Sequence, residues 1–304
     1  MNTITAIDRT GAEDRASRIH RLADGRRISF AEFGDPRGLP VLALHGTPGS
    51  RFMFGLTDAA ARERGLRIIA PDRPGYGHSD YRRCRCLMGS AEDFASLADA
   101  LRLDRLAVIG VSGGGPYAIA TAAQMHDRVQ LLALISPVGP VAECGKQIRM
   151  SRMHRLIFTR MGRSPQACAA FFWSLRGMVK WAPSVAYRAL QQRVTPSDRG
   201  VLGQGEVKAN LRAAIREGLR PGIRGALQDL RLFCGPWGLS LAEIDVPSVV
   251  WQGSDDTIVP ASGAYYLAAQ LPNCRLDVVQ QAGHYWGFGQ FGLVLDTVAA
   301  ALRR

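Results

Sequence analysis

The chain has 304 residues, of which 47% are hydrophobic, enough for one large core or for a core with a sizeable insertion. No run of eighteen apolar residues occurs, so the sequence excludes a transmembrane helix and predicts a soluble protein. The formal net charge of +12 arises within residues 141–240, which hold 17 Lys or Arg and five Asp or Glu, whereas the remainder carries 21 of each. This asymmetry indicates a separate basic module.

The N-terminus is polar and mixed in charge, and it lacks the apolar segment of a signal peptide, so secretion by that route is not expected. Residues 1–16 are predicted to form a disordered tail. The six cysteines are scattered, and no pair has the C-x-x-C spacing of a zinc site, so no metal is expected. Reduced thiols are typical of the cytoplasm, which is the location that the sequence predicts.

Strand and helix patterns alternate over residues 18–137. Continuous apolar runs such as "PVLALHG" are typical of strands that are buried on both faces of a sheet. In chain order, we predict strands at 26–34 and 40–46, a helix at 58–65, a strand at 66–72, a helix at 90–103 with Ser90 as its N-cap, a strand at 105–112, a helix at 115–125 and a strand at 128–136.

The alternation stops at residue 138 and resumes near residue 245. The segment between is basic, aromatic-rich and helical in pattern. We expect its large aromatic side chains to form mainly its own core, with one or two lining a pocket: Phe171, Phe172, Trp173, Trp181 and Trp237. Beyond this segment we predict a strand at 247–253, a helix at 260–271 beginning at Pro260, a strand at 274–281 and a terminal helix at 291–304.

This order of elements predicts an α/β fold, with a mostly parallel sheet of about eight strands and helices on both faces. Residues 17–137 and 246–304 would form the core, and residues 138–245 would form a helical, basic insertion. Such a long insertion costs little loop entropy when its ends are close in space.

The segment "GVSGGGPYA", Gly110–Ala118, surrounds Ser112 with glycines between a predicted strand and a predicted helix. Its G-x-S-x-G pattern is weak evidence in a glycine-rich chain, but the strand–turn–helix context is that of a nucleophile elbow. Small neighbours let the backbone turn sharply, so that the serine hydroxyl stands clear of the sheet. Because a hydroxyl is a poor nucleophile, a base must remove its proton.

Ligands of open α/β sheets bind at the carboxyl ends of the strands, so polar residues there are the candidate partners of Ser112. His284 in "QQAGHYWG" follows the last predicted strand and is the candidate base. Asp256 in "WQGSDDTIVP" follows the preceding strand and is the candidate carboxylate, with Asp255 as the alternative. A further polar residue, His45, is expected to orient its loop and not to react.

A carbonyl under attack develops negative charge, and backbone N–H groups stabilise it by about 3 kcal/mol each. The N–H of Gly113, directly after the nucleophile and at the start of a helix, is one expected donor. The N–H of Thr47 in "HGTPG" is the other, since Pro48 has no N–H and stiffens the loop.

Five segments, "LHGTPGSR", "APDRPGYGHSD", "GVSGGGPYA", "WQGSDDTIVP" and "AGHYW", resemble in order and spacing the motifs of the α/β-hydrolase fold family over nearly the whole predicted core. The resemblance implies a Ser112–His284–Asp256 triad, an oxyanion hole formed by Thr47 and Gly113, no cofactor, and a helical cap inserted after strand six.

The resemblance extends to capped esterases and, more distantly, to proline iminopeptidases. The latter typically read "HGGPG" and "GGSWGS" where this chain has Thr47 and Gly113, which puts aminopeptidase activity in doubt. Epoxide hydrolases and haloalkane dehalogenases have aspartate where this chain has Ser112, which argues against those reactions.

The resulting hypothesis is a serine hydrolase that cleaves a carboxylic ester or similar acyl bond through an acyl-enzyme intermediate, acting on a small, mainly apolar acyl substrate. Two alternatives remain open. One is an amidase or aminopeptidase of the proline-iminopeptidase type, and the other is a non-catalytic small-molecule receptor on the same fold.

Two other binding interpretations are weaker. "GGGPYA" formally fits a dinucleotide fingerprint, but the next strand ends without a carboxylate, and the first one beyond it is Glu143. Arg212, Arg216 and Arg220 recur every four residues, a stripe that we expect to be a solvated face; weak attraction to an anionic surface is the alternative. No nucleic-acid-binding motif occurs, so no such partner is expected.

Overall fold

The computed structural model of the protein describes residues 15–83, 86–141, 164–259 and 261–304. The predicted disordered tail, residues 1–16, lies almost wholly outside the described residues, as do Glu143 and Pro260. Within the described ranges, no helix is long and apolar enough to cross a lipid bilayer.

Eight strands of the described chain form one sheet in the order β1-β2-β4-β3-β5-β6-β7-β8. β1 and β4 both pair antiparallel with β2, and all other neighbours are parallel. The strands are β1 (Arg18–Arg21), β2 (Arg27–Gly34), β3 (Leu39–Leu44), β4 (Leu66–Pro71), β5 (Leu106–Val111), β6 (Val129–Ile135), β7 (Ser248–Gly253) and β8 (Cys274–Val279). The predicted mostly parallel, roughly eight-stranded sheet is therefore confirmed.

The strand β1 was not predicted, because its sequence "RIHR" has no apolar run and its residues alternate between half-buried and exposed at the sheet edge. The core helices before β6 are α1 (Asp58–Glu63), α2 (Leu87–Ala100) and α3 (Gly115–Gln124). The helix α2 begins three residues earlier than predicted, after an extended Cys86. The prediction that Ser90 is its N-cap is therefore wrong, since Ser90 lies buried within the helix.

Helices pack on both faces of the sheet because successive residues of a buried strand point to opposite sides. In β3, Leu42 and Leu44 belong to the apolar cluster that includes α2 and α3. Their neighbours Val41 and Ala43 belong to a second cluster, which includes α1 and the C-terminal helix. Continuous apolar strands thus supply two apolar layers, one on each face.

The described chain between β6 and β7 contains five α-helices: α4 (Pro165–Trp181), α5 (Pro183–Gln191), α6 (Pro196–Gly203), α7 (Gly205–Gly218) and α8 (Arg224–Cys234). The remaining helices are α9 (Ala261–Gln270), α10 (Trp286–Gly289) and α11 (Phe291–Leu302). We call α4–α8 the inserted helices; the boundaries 138–245 stay a prediction. The side-chain amide of Asn210 on α7 donates to the carbonyl of Phe52 in the core at 2.8 Å.

The large aromatic residues between β6 and β7 divide between two environments. Phe172 and Trp237 are buried, as expected, but Trp173 and Trp181 are 53% and 78% exposed. The prediction that these two tryptophans belong to a core is therefore wrong. Adjacent helical residues point about 100° apart, so burial of Phe172 turns Trp173 outward. There Trp173 stacks with the guanidinium of Arg176, at 5.2 Å from the ring centroid.

Candidate active site

The turn after β5 is built to hold Ser112 in a conformation that L-residues rarely adopt. Its φ is +52°, in the left-handed region, and a short 3₁₀ turn at Ser112–Gly114 leads directly into α3. Glycines make room for this turn. A Cβ on Gly110 would lie 2.6 Å from the Cβ of Ala118, and one on Gly114 would overlap the carbonyl oxygen of Leu44.

The structure brings Ser112, His284 and Asp256 together from the ends of β5, β8 and β7. The Ser112 Oγ lies 3.0 Å from Nε2 of His284, and Nδ1 of that ring lies 2.8 Å from Oδ2 of Asp256. Because a carboxylate only accepts hydrogen bonds, Nδ1 carries the proton, and Nε2 is left to accept from the serine hydroxyl. The arrangement can deprotonate Ser112.

The Asp256 carboxylate is itself fixed by backbone donors. Its Oδ1 accepts from the N–H groups of Ile258 and Val259 at 2.8 and 2.9 Å, and Oδ2 also accepts from the Gln252 amide at 3.0 Å. The alternative acid, Asp255, is exposed and lies 3.0 Å from the hydroxyl of its neighbour Ser254. The geometry therefore favours Asp256 as the partner of the histidine.

The electrostatic surroundings of His284 favour a charged imidazolium. Burial alone would lower the pKa of His284, but the carboxylates of Asp256 and Asp198 outweigh it and raise the pKa above its ordinary value. A raised pKa helps a general base to accept the serine proton, provided that the ring is still neutral at the working pH.

The two residues that are expected to supply the oxyanion donors lie next to each other in the cavity wall. A Cβ on Gly113 would overlap the Thr47 hydroxyl and approach the Phe233 ring to 2.9 Å, so glycine is needed there. Gly113 is the second residue of its helical turn, where N–H groups have no intrahelical acceptor. Thr47, Gly113 and the Ser112–His284 pair all line the same cavity.

The peptide that carries the Thr47 N–H is oriented by its own carbonyl group. The Gly46 carbonyl accepts from Nδ1 of His45 at 2.9 Å and from Nη2 of Arg73 at 3.1 Å. In a trans peptide the N–H points opposite to the C=O, so the Thr47 N–H points away from Arg73. The ring of His45, whose pKa burial lowers well below its ordinary value, stays neutral, and its Nε2 accepts the Arg73 backbone N–H at 3.0 Å. His45 thus orients its loop, as expected.

Two aspartates of the inserted helices contact the loops that carry Thr47 and His284. The sequence analysis identified neither of them. Asp229 on α8 is almost fully buried, and Nη1 of Arg73 donates to its Oδ1 at 2.7 Å. The Thr47 hydroxyl donates to its Oδ2. The sequence carried one indication of this role. Asp229 is an acidic residue on the apolar face of α8, beside Ala226 and Phe233, and a charge in such a position needs a buried partner.

The second aspartate, Asp198 on α6, binds the loop that carries the histidine. Its carboxylate accepts the backbone N–H groups of His284 at 2.8 Å and of Tyr285 at 2.6 Å. A Cβ on Gly283 would overlap this carboxylate, so only glycine permits the approach. In sequence, "TPSD" reads as a helix N-terminus, and Thr195 does accept the Asp198 N–H at 3.3 Å. The sequence pattern therefore indicates only the helix N-terminus and not the contact with the His284 loop.

A cavity of about 310 Å³ opens onto Ser112, and the inserted helices supply much of its wall. Apolar side chains such as Phe171, Phe172 and Leu211 dominate the lining. Besides His284, the charged residues among the described lining are Arg193 and Arg212. Neither arginine has an acidic side chain within ion-pair distance in the described part of the chain.

The predicted basic stripe is solvated at two of its three positions. Arg216 and Arg220 are exposed, although Arg220 also donates to the carbonyl of Gly77 at 2.9 Å, whereas Arg212 is half-buried and lines the cavity. Among the described residues, no group of three or more His, Cys, Asp or Glu is arranged to hold a metal ion.

Comparison with known proteins gives a consistent result. A family model described as "alpha/beta hydrolase fold" matches residues 40–288. The hydrolase YcgS of Bacillus subtilis is 26% identical over 88% of this chain and 91% of its own length. A 2-hydroxymuconate semialdehyde hydrolase of Pseudomonas putida is 26% identical, covering 87% of this chain and 86% of its own. An esterase structure from Exiguobacterium antarcticum superposes with a TM-score of 0.68 at 18% identity, over 94% of this chain and 99% of that one.

Proposed function

The chain belongs to the α/β-hydrolase fold family, and from that premise we propose that it is a serine hydrolase that cleaves a carboxylic ester or similar acyl bond. One observation carries the proposal. The Ser112 hydroxyl, held at a left-handed φ, lies 3.0 Å from a histidine nitrogen whose partner nitrogen meets a buried carboxylate at 2.8 Å. Relatives named as hydrolases and a structural neighbour named as an esterase support the same class.

In the proposed mechanism, Ser112 Oγ attacks the ester carbonyl carbon while His284 Nε2 takes the hydroxyl proton. The carbonyl oxygen becomes an oxyanion that the N–H groups of Thr47 and Gly113 stabilise. The histidine then gives its proton to the departing alkoxide, which leaves an acyl-serine. Water, deprotonated by the same nitrogen, adds to this acyl group, and collapse of the second oxyanion releases the acid and restores Ser112.

The cavity suggests the kind of acyl group that the site accepts. Its small volume and apolar lining fit a short aliphatic or aromatic chain. Arg193 and Arg212, without acidic partners among the described residues, would favour a substrate that carries a carboxylate remote from the scissile bond. An aminopeptidase must instead bind a protonated amine, and no Asp or Glu is present in the described cavity lining. These charges favour ester over aminopeptidase activity.

A paired substrate panel tests the proposal. We expect the wild-type protein to hydrolyse p-nitrophenyl esters of short acids, with Ser112→Ala reduced to the background rate. Aminoacyl p-nitroanilides should be hydrolysed far more slowly. A hemisuccinate ester should have a lower KM than its methyl-capped counterpart. Preferred cleavage of the anilides would support the amidase alternative, and ligand binding without turnover would support the receptor alternative.

A further inference from the structure

The inserted helices make a contact with the core that goes beyond covering a cavity. The carboxylate of Asp229 on α8 accepts four hydrogen bonds from the core. Oδ1 accepts from Arg73 at 2.7 Å and from the Tyr117 hydroxyl at 2.6 Å. Oδ2 accepts from the Tyr76 hydroxyl at 2.6 Å and from the Thr47 hydroxyl. Both oxygens are thus saturated, with two donors each.

The charges of this cluster balance within the protein interior. The side chain of Arg73 is fully buried, and that of Asp229 is 2% exposed. Burial alone would lower the pKa of Arg73, but the charge of Asp229 helps to raise it, so the guanidinium stays charged. Burial and Asp229 raise the pKa of both Tyr76 and Tyr117 well above the ordinary value, so both remain neutral donors. Asp229 is therefore the counter-ion that lets Arg73 be charged inside the core.

The N–H groups on the other edge of the same guanidinium bind the oxyanion loop, His45–Thr47. Nε of Arg73 donates to the carbonyl of His45 at 3.0 Å, and Nη2 donates to the carbonyl of Gly46 at 3.1 Å and to Oγ1 of Thr47 at 2.8 Å. Each of these bonds fixes a peptide or side chain of the segment that presents the Thr47 N–H. The planar fork has five N–H donors, so it can hold these three acceptors and Asp229 at once, whereas a lysine ammonium has only three N–H donors for the four acceptors.

We propose that Asp229 is a positioning residue: it fixes Arg73, and Arg73 aims the Thr47 N–H at the place where the oxyanion forms. The inserted helices are then part of the apparatus that stabilises the transition state, and the oxyanion site is complete only when α8 is docked. This inference rests on the proposed function, because it concerns the carbonyl chemistry of that site.

The test compares two carboxylates of the inserted helices that each bind a buried core arginine. Asp229→Asn removes the counter-ion of Arg73. The matched control is Glu217→Gln on α7, because Glu217 accepts from Arg51 at 2.9 Å and its other charged partners in the described chain, His78 and Arg220, lie outside the Thr47 loop. We expect Asp229→Asn to lower kcat against the best ester by about 10–100-fold with KM changed less than threefold. Glu217→Gln should stay within twofold of wild type in both.

A second readout separates positioning from general damage to the cavity. A trifluoromethyl ketone with the acyl chain of the best substrate adds to Ser112 and forms an oxyanion, whereas the matching alcohol binds without reacting. Asp229→Asn should weaken the ketone by the same factor as kcat and leave the alcohol within twofold. If that variant does not fold, Arg73→Lys, which keeps the charge but lacks the fork, should show the same pattern.

The outcomes are distinguishable. If Asp229→Asn and Glu217→Gln had the same kcat as each other and the same affinity for the ketone, the inference would be overturned and the proposed function would stay intact. Equal loss of ketone and alcohol binding would also overturn it, since the effect would then be on the cavity. A folded wild-type protein that neither hydrolyses esters nor forms the ketone adduct would overturn both.

Discussion

Asp229 and Asp198 both project from the inserted helices to a catalytic loop of the core, but they bind different kinds of group. Asp229 meets a guanidinium and three hydroxyl groups beside the oxyanion loop. Asp198 meets two backbone N–H groups on the histidine loop. The first contact pairs two buried charges, whereas the second places one charge on neutral dipoles. Removal of Asp229 and removal of Asp198 should therefore have different effects on stability, on kcat and on the pH dependence of activity.

The pKa of Asp198 reflects this difference. Burial raises it above the ordinary value, partly opposed by the N–H groups of Tyr285 and His284. The negative charge of Asp198 in turn acts on His284, where it adds to the effect of Asp256. Asp198 thus influences both the position and the proton affinity of the histidine. Asp229, by contrast, is expected to act on the position of Thr47 through Arg73.

The largest expected difference is in stability. Asp229→Ala leaves the Arg73 guanidinium buried without a counter-ion, and breaking such a pair costs about 3–5 kcal/mol. Asp198→Ala leaves two neutral N–H groups without acceptors, at about 1–3 kcal/mol each while they stay dry. Because water can replace a neutral partner more easily than a counter-ion, we expect a smaller total loss of stability than in Asp229→Ala. Urea denaturation of both variants measures the two costs. If Asp198→Ala lost as much free energy of unfolding as Asp229→Ala, or more, the proposed difference between the two contacts would be wrong.

Next in size is the effect of a methyl group placed against Asp198. In Gly283→Ala the new Cβ overlaps the Asp198 carboxylate, so either the aspartate or the histidine loop must move. We expect kcat to fall by about 10–100-fold, as for other small misplacements of a catalytic group. Gly289→Ala is the control, because its Cβ would find only ordinary contacts, the nearest at 3.8 Å. Equal kcat in the two variants would show that Asp198 does not fix the histidine.

The smallest expected effect is on pH dependence. The charge of Asp198 stabilises the imidazolium of His284, so Asp198→Asn should lower the pKa of that histidine. Because the neutral base then persists to lower pH, the acidic limb of the kcat/KM profile should shift to lower pH. Arg199→Gln, on an exposed neighbour, should leave the limb in place, as should Asp229→Asn. A shift to higher pH in Asp198→Asn would contradict the assigned role.

The fold could be predicted from the sequence because its central strands, β3–β7, are mainly apolar runs that are followed by small or polar residues. The strand β1 was not predicted because its sequence "RIHR" has no apolar pattern and the strand depends on pairing with β2. The start of α2 was misplaced because Ser90 is a good N-cap residue in isolation, whereas burial of Leu87 in the core extends the helix to an earlier residue.

Some residues of the candidate site could likewise be predicted from the sequence, and others could not. Ser112, Asp256 and His284 each follow the carboxyl end of a strand in a short motif, so their convergence follows from the parallel sheet. Asp229 and Asp198 lie on helices with no local mark of their partners, which are 156 residues distant in the case of Arg73 and 86 in that of His284. Contacts of this range depend on how the inserted helices dock, which periodicity does not encode.

The most direct test of the central claim is to identify the residue that becomes acylated or phosphonylated. The protein is treated with a fluorophosphonate and digested, and the modified peptide is found by mass spectrometry. We predict one adduct per chain, on Ser112, absent in Ser112→Ala and formed much more slowly in His284→Ala. No adduct in the folded wild-type protein, or an equal adduct in Ser112→Ala, would contradict the assignment of Ser112 as the nucleophile.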